Sequence, residues 1–272
     1  MYILADIGGT KTRIAGSSDL SKFSTPIILD TPQKYDDALA AIIAEIKKIT
    51  GGGRIESLAA GVKGVLSEDK RTLVTAPQNI LRDWKDRELA KDLEAALKTS
   101  VVLENDTALV GLGEAVFGAG KGHAIAAYIT VSTGVNGVRI VEGEIDHGRS
   151  EIGGQYLQVG DSLKSLEDLV SGASISEKYG VHPKEIDKDS PVWEELARIT
   201  AFGVHNAILH WSPGVVVLGG SMFNEIGIPV ERVAFHVKAI MRKFPSTPTI
   251  VHSALTDIGG LWGGMARLSR TP

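Results

Sequence analysis

One pattern, present twice, constrains this chain more than any other feature. An apolar run, a turn built on glycine and threonine, and a second run returning antiparallel open each half. In the first copy, Tyr2–Ile7 passes through Gly8-Gly9 and Thr10 to a returning strand over 11–16. In the second, 124–131 passes through Ser132-Thr133-Gly134-Val135-Asn136-Gly137 to 138–141, and Gly143-Glu144 prolongs the meander. A strand that ends in glycine lets backbone approach a ligand closely, because no Cβ intervenes. A repeat on this scale fixes architecture. It predicts two similar α/β lobes, each with a small mixed sheet, and a ligand cleft between them.

The segments between the hairpins read as helices and buried strands. Over 36–49, Leu39, Ile42, Ile43 and Ile46 form an i, i+3, i+4, i+7 stripe that stops at Gly51-Gly52-Gly53. A strand is expected over 57–65, and a helix over 86–98 with Leu89, Leu93 and Leu97 on one face. A short strand over 100–103 ends in Glu104-Asn105-Asp106, and a helix follows from 107 to about 117. Further on come a long helix over Val192–Trp211, a buried strand over 215–218 that stops at Gly219-Gly220, and a helix over 229–243. A strand over 249–251 and a glycine-rich closing helix over 257–269 complete the chain.

Composition narrows the chemistry. With 29 Lys+Arg against 33 Asp+Glu, the net charge is −4, and no basic block marks a nucleic-acid binder. No apolar stretch approaches the roughly 20 residues of a membrane helix, and no basic segment precedes the first strand, so a cytoplasmic protein is expected. The 272 residues include no cysteine, which excludes disulfides, thiolate zinc sites and a cysteine nucleophile.

In the first hairpin the glycines turn backbone N–H groups toward an anion, Thr10 adds a hydroxyl, and Asp6 at the strand end can hold Mg²⁺ or its water. By itself Gly8-Gly9 reads more readily as a ligand-free tight turn; the second hairpin shifts the reading to phosphate. Asn105-Asp106 at a strand-to-helix junction also reads as an N-cap. Gly118-Ala119-Gly120-Lys121-Gly122 hints at a Walker A loop, but Ala115 stands where its first glycine belongs and Gly122 where Ser or Thr belongs. His205 and His210 form no metalloprotease pair.

Asp6-Ile7-Gly8-Gly9-Thr10-Lys11 resembles the first phosphate motif of the ROK family of sugar kinases and repressors, within the actin-like ATPase superfamily. Five further segments match in order. Ala76-Pro77-Gln78-Asn79-Ile80 with Trp84-Lys85 is similar to a sugar-site segment, with Gln78 as an extra residue. Glu104-Asn105-Asp106 with Gly113-Glu114 resembles the catalytic segment, and 132–137 the second phosphate motif. Val216-Val217-Leu218-Gly219-Gly220 resembles the strand near adenosine, and 257–267 the closing helix.

The resemblance implies a two-lobed actin-like ATPase (ribonuclease H-like) fold, with lobes at 1–106 plus 257–272 and at 107–256. It implies an ATP- and Mg²⁺-dependent kinase acting on a hexose, the 6-hydroxyl of glucose or a close relative, with Asp106 as general base. Asn79, Asn105, Glu151 and Glu167 match sugar-contacting positions. Asp6, Gly8, Gly9, Thr10, Lys11, Thr133, Gly134, Gly219 and Gly220 match nucleotide and phosphate positions, with Asp6 also on the metal. On residue type alone, Asn79 reads as a turn residue and Glu167 as a solvated helix residue. Gly154 stands where the family has a histidine that touches sugar and zinc, and the cysteine cluster of that zinc site is absent around 160–166. A zinc-free member is expected, with His147 as a candidate substitute for the lost contact. The resemblance suggests a homodimer. Polyphosphate as donor and a non-catalytic sugar-binding protein are the alternatives. A repressor is not expected, because family repressors carry a helix-turn-helix region ahead of the first phosphate motif, and here that motif starts at Asp6 and leaves no room for one.

Overall fold

The computed structural model describes residues 1–75, 81–146, 148, 150–224 and 227–270. Contacts divide the chain into two compact units, Met1–Gly113 with Asp257–Pro272, and Glu114–Thr256.

The first unit begins with β1 (Tyr2–Ile7), β2 (Lys11–Ser17) and β3 (Ile27–Asp30), followed by α1 (Tyr35–Thr50), β4 (Ser57–Val62), β5 (Val65–Leu66) and β6 (Leu73–Thr75). Then come α2 (Leu89–Leu97), β7 (Ser100–Asn105) and α3 (Asp106–Val116). The sheet order is β3-β2-β1-β4-β7; β2 runs antiparallel to β1, and β4 and β7 extend the sheet in parallel.

Alternation along the strands sorts two faces. Ile3, Ala5 and Ile7 of β1, with Leu58, Ala60 and Val62 of β4, pack into a core with Tyr35, Ile42 and Ile46 of α1 and Leu89 and Leu93 of α2. Leu4 and Ala59 face the other way, onto Leu261, Met265 and Leu268 of the C-terminal helix, Gly259–Ser269. Asp6 shares the face of Leu4. That parity decides where its carboxylate goes.

The second unit repeats the plan. Its strands are β8 (Ile125–Val131), β9 (Val135–Val141), β10 (Glu144–Ile145), β11 (Tyr156–Val159) and β12 (Ser162–Ser165); the helices α4 (Leu166–Val170), α5 (Gly172–Tyr179) and α6 (Val192–Trp211) follow. Then β13 (Val215–Gly219), α7 (Ser221–Asn224), α8 (Val230–Ile240) and β14 (Thr249–His252) close it. The main sheet runs β10-β9-β8-β13-β14, again a three-stranded antiparallel meander extended by two parallel strands. Trp193, Leu196, Ile199, Val204 and Ile208 of α6 bury against Ile129, Val131, Val216 and Leu218. The repeat read from the two hairpins is therefore a repeat of whole sheets. No helix among the described residues is long and apolar enough to cross a membrane.

Several expected boundaries move, each for a local reason. The strand expected over 57–65 ends at Val62, because Gly64 turns the chain at φ +114°. The helix expected from 86 starts at Leu89, since Asp86 is left-handed at φ +63°. The second hairpin's turn is shorter than 132–137: Val135, Asn136 and Gly137 are already paired with Val131, Thr130 and Ile129. Residues 160–166, expected only as the place of the absent cysteine cluster, fall in the turn and second strand of the β11–β12 hairpin and the start of α4.

Candidate functional site

The first unit carries a charged row across four strands. Arg13 pairs in register with Asp6, Asp6 with Gly61, and Gly61 with Glu104. The charged members have different partners. Arg13 Nη2 donates to Asp257 Oδ2 at 3.0 Å. Glu104, 3 % exposed, accepts from Lys70 Nζ at 2.8 and 2.9 Å and from Arg267 Nε at 3.4 Å. Asp6 has no ion pair among the described residues.

Glycines bring other groups onto Asp6. A Cβ at Gly61 would lie 3.3 Å from the Asp106 Cα and 3.8 Å from Asp6 Oδ1. One at Gly260 would lie 3.0 Å from the Asp6 Cγ, so the first turn of the C-terminal helix covers this carboxylate. That helix and α3 touch backbone to backbone, because a Cβ at Gly263 would fall 1.7 Å from the Leu109 carbonyl oxygen. Burial, and the charge of Asp106 next to it, push the Asp6 carboxyl up to about 7; Arg13 and Lys63 oppose the rise, and Asp257 adds to it.

Asp106 is the first residue of α3. Its Oδ1 accepts from the Thr107 N–H at 2.8 Å, while Oδ2 accepts from no neighbouring side chain among the described residues. Burial raises its pKa, against the lowering influence of Lys63 and of the Thr107 N–H. Asn105 does the capping: its Oδ1 accepts from Ala108 N at 3.2 Å, and its Nδ2 donates to the Gly64 carbonyl at 3.0 Å. Its other N–H has no acceptor among the described residues. Asn79 lies outside the described residues, as does His147.

In the first hairpin, Gly8 N donates to Lys11 O at 3.0 Å, and Thr31 and Gln33 bond the carbonyls of Gly8 and Gly9. These bonds leave the Gly9 and Thr10 amides without a backbone acceptor among the described residues, the arrangement of an anion nest. Lys11 is placed elsewhere. Its ammonium pairs with Asp30 at 2.6 Å on the exposed sheet edge.

The second unit gathers a separate set. Ser132 N donates to Gly134 O at 2.8 Å, and the first amides of α5, Gly172 N and Ala173 N, donate to the carbonyls of Ser132 and Thr133. Glu167 Oε2 accepts from Val135 N at 2.8 Å, and a Cβ at Gly134 would meet that same oxygen at 2.7 Å. Glu167 is thus bonded to the hairpin itself. Beside it lies a cavity of about 280 Å³, lined by Ser132, Thr133, Gly172, His182, Lys184 and Ser221 among others. Gly219 ends β13, and Gly220, at φ +96°, turns the chain so closely past Val131 that a Cβ would lie 2.4 Å from its carbonyl oxygen. Glu151 is exposed at the start of the 3₁₀ turn Ile152–Gly154, and a Cβ at Gly154 would meet nothing. Among the described residues, no group of three or more His, Asp or Glu side chains could hold a metal ion.

Lys63, Glu104, His182 and Lys184 are additions to the residues singled out from sequence. Lys63 had a signal: it stands between glycines where a parallel strand ends, in Gly61-Val62-Lys63-Gly64. His182 and Lys184 had none, because only tertiary packing of the segment Pro183–Glu185 lines the cavity with them.

Two five-stranded mixed sheets of the same order, each opening on a glycine hairpin, define an α/β protein of the actin-like ATPase fold. The chain belongs to the ROK family, whose description matches residues 2–271. It is 29 % identical to a glucokinase of Streptomyces coelicolor over 156 residues, 57 % of this chain and 48 % of that enzyme. An N-acetyl-D-glucosamine kinase of Photobacterium profundum is 25 % identical, with 97 % of each chain covered. A solved ROK glucokinase of Streptomyces griseus, in complex with glucose and AMPPNP, superposes with a TM-score of 0.80 at 23 % identity, covering 98 % of both chains. Family and fold agree with the reading of the six motifs.

Proposed function

We propose that this protein transfers the γ-phosphoryl group of ATP to a hydroxyl of a hexose, the 6-hydroxyl of glucose or of a close relative. The observation that carries the reading is Asp106: a carboxylate at a helix N-terminus, one oxygen fixed by Thr107, the other without a side-chain donor among the described residues, and its proton affinity raised by burial. Phosphoryl transfer needs positioning and charge neutralisation more than covalent help. The second oxygen of Asp106 orients the acceptor hydroxyl and takes its proton as the bond to phosphorus forms. Asn105 offers its remaining N–H to the sugar, and Glu151 and Glu167 are the further sugar-contacting candidates.

The Gly9 and Thr10 amides are the phosphate-binding candidates of the first unit, and Thr133 and Gly134 are those of the second. The cavity lined by Ser132, Gly172 and Ser221 takes the nucleoside side of the donor, with Gly219-Gly220 at its strand end. Asp6 suits Mg²⁺. A half-buried carboxylate with no ion pair among the described residues, next to a second carboxylate, supplies the one or two protein oxygens that Mg²⁺ takes when phosphates and water complete its shell. Bound there, the metal would neutralise charge on the phosphates. The relatives named for glucose and N-acetylglucosamine support a hexose acceptor.

The test is a coupled assay on purified protein across hexoses and N-acetylhexosamines, with ATP and polyphosphate as separate donors. ATP-dependent turnover of at least one hexose, reduced at least a hundredfold in Asp106→Asn, is expected. No turnover of any sugar with ATP would refute the reading.

A further inference from the structure

Lys63 occupies a place that neither the phosphate motifs nor the sugar-site residues account for. Residues 58–62 of β4 alternate between the two faces of the first sheet, with Ala59 and Gly61 on the face of the C-terminal helix. Lys63 continues that parity one step beyond the strand end. Its backbone N donates to Ile7 O at 3.1 Å, which fixes it to the end of β1 next to Asp6. On the other side, β7 runs in register with β4 through Val62 and Asn105, so Asp106 follows immediately beside Lys63.

The Asp6 carboxylate and the Asp106 backbone therefore both lie against Gly61, and a half-buried lysine follows on the same face. The other cations of this face are engaged: Arg13 by Asp257, and Lys70 and Arg267 by Glu104. Lys63 has no ion pair of its own among the described residues, and it lowers the proton affinity of both Asp6 and Asp106.

We propose that Lys63 is the resident counter-ion of the Asp6–Asp106 pair, and that it competes with a divalent cation for those two carboxylates. The inference rests on the reading of Asp6 as the metal-side carboxylate and Asp106 as the base. Physically, two neighbouring anions with one cation carry a smaller net field than the same anions without it. A free divalent ion gains less at the balanced pair. Lys63 thereby sets how weakly the protein binds metal before nucleotide brings its own phosphates. It acts on the carboxylates and is a positioning residue.

The test is titration with Mn²⁺ alone, without sugar or nucleotide, followed by the electron paramagnetic resonance of the free ion. Lys63→Met should bind Mn²⁺ about threefold to tenfold more tightly than wild type, and Lys63→Arg within about twofold of it. In an Asp6→Asn background, Lys63→Met should make no difference beyond about twofold. Unchanged or weaker Mn²⁺ binding in folded Lys63→Met, or a gap that survives Asp6→Asn, would overturn the proposal. If Lys63→Met and Lys63→Gln both fail to fold, recovery of the fold in millimolar Mn²⁺ supports the counter-ion role, and failure to recover overturns it. The titration needs no turnover, so a protein that phosphorylates no sugar would refute the kinase reading and leave this result intact.

Discussion

Asp6 offers the most quantitative prediction. Its carboxyl rises from an ordinary value of 3.8 to about 7, chiefly through burial and the charge of Asp106. A raised carboxylate pKa means that the folded protein holds a proton which the unfolded chain has already released. Below about pH 4 both states are protonated, and the group costs nothing. As pH climbs through the window from 3.8 to about 7, stability is lost, and above it the full cost is present. A rise of about three in pKa, at about 1.36 kcal/mol for each, gives roughly 4 kcal/mol as the upper figure. Asp6→Asn keeps the shape and removes the charge. The variant should therefore be about 2–4 kcal/mol more stable than wild type at pH 8 in metal-free buffer, roughly 5–12 °C in Tm for a chain of this size. At pH 4.5 the gap should shrink below about 1 kcal/mol. Calorimetry of both proteins between pH 4.5 and 8, with chelator present, reads the effect. Equal melting temperatures at pH 8, or a gap that widens as pH falls, would refute the reasoning.

Glu114 is fully buried and accepts from Ala119 N, Ala254 N and Leu255 N; Glu114→Gln leaves at least one of these amides unsatisfied and should cost about 2–4 kcal/mol in urea unfolding. Gly263→Ala should cost at least about 3 kcal/mol or prevent folding, since its methyl would overlap the Leu109 carbonyl; a soluble variant of wild-type Tm would contradict that packing. Gly154→His should fold normally, because a side chain there meets nothing, and should tighten the Michaelis constant for the preferred sugar. Elemental analysis of purified protein should find no stoichiometric zinc, since the chain has no cysteine and Gly154 stands at the family's histidine position.

The sheets were legible because their signals are local. Tyr2–Ile7 is apolar, ends at two glycines and pairs with a second apolar run, and the same syntax at 124–141 disclosed the second sheet. Helix α1 was equally plain, from its stripe to the glycine stop at Gly51, which takes φ +58°. The β11–β12 hairpin was not: only Leu157 and Val159 of β11 turn to the core, while the apolar Tyr156 and Leu163 are 68 % and 63 % exposed, so apolar residues do not mark one face. Asn105-Asp106 shows two readings sharing one junction, with Asn105 as the cap and Asp106 beside it as the first residue of the helix. Lys11 follows the phosphate turn in sequence, and its ammonium pairs with Asp30 on the neighbouring strand, a contact that adjacency does not disclose. Lys63 reaches the carboxylates only through the register of three strands, which no local window contains.

The most direct test of the central claim is phosphorus NMR of wild type and Asp106→Asn, each incubated with ATP, Mg²⁺ and the sugar that binds best. The account predicts a sugar 6-phosphate resonance growing in step with ADP for wild type. For Asp106→Asn it predicts sugar affinity within about threefold of wild type and a rate about 10²–10⁴ lower. A variant that keeps more than about a third of the wild-type rate, or a wild type that releases ADP and inorganic phosphate without a sugar phosphate, would contradict it.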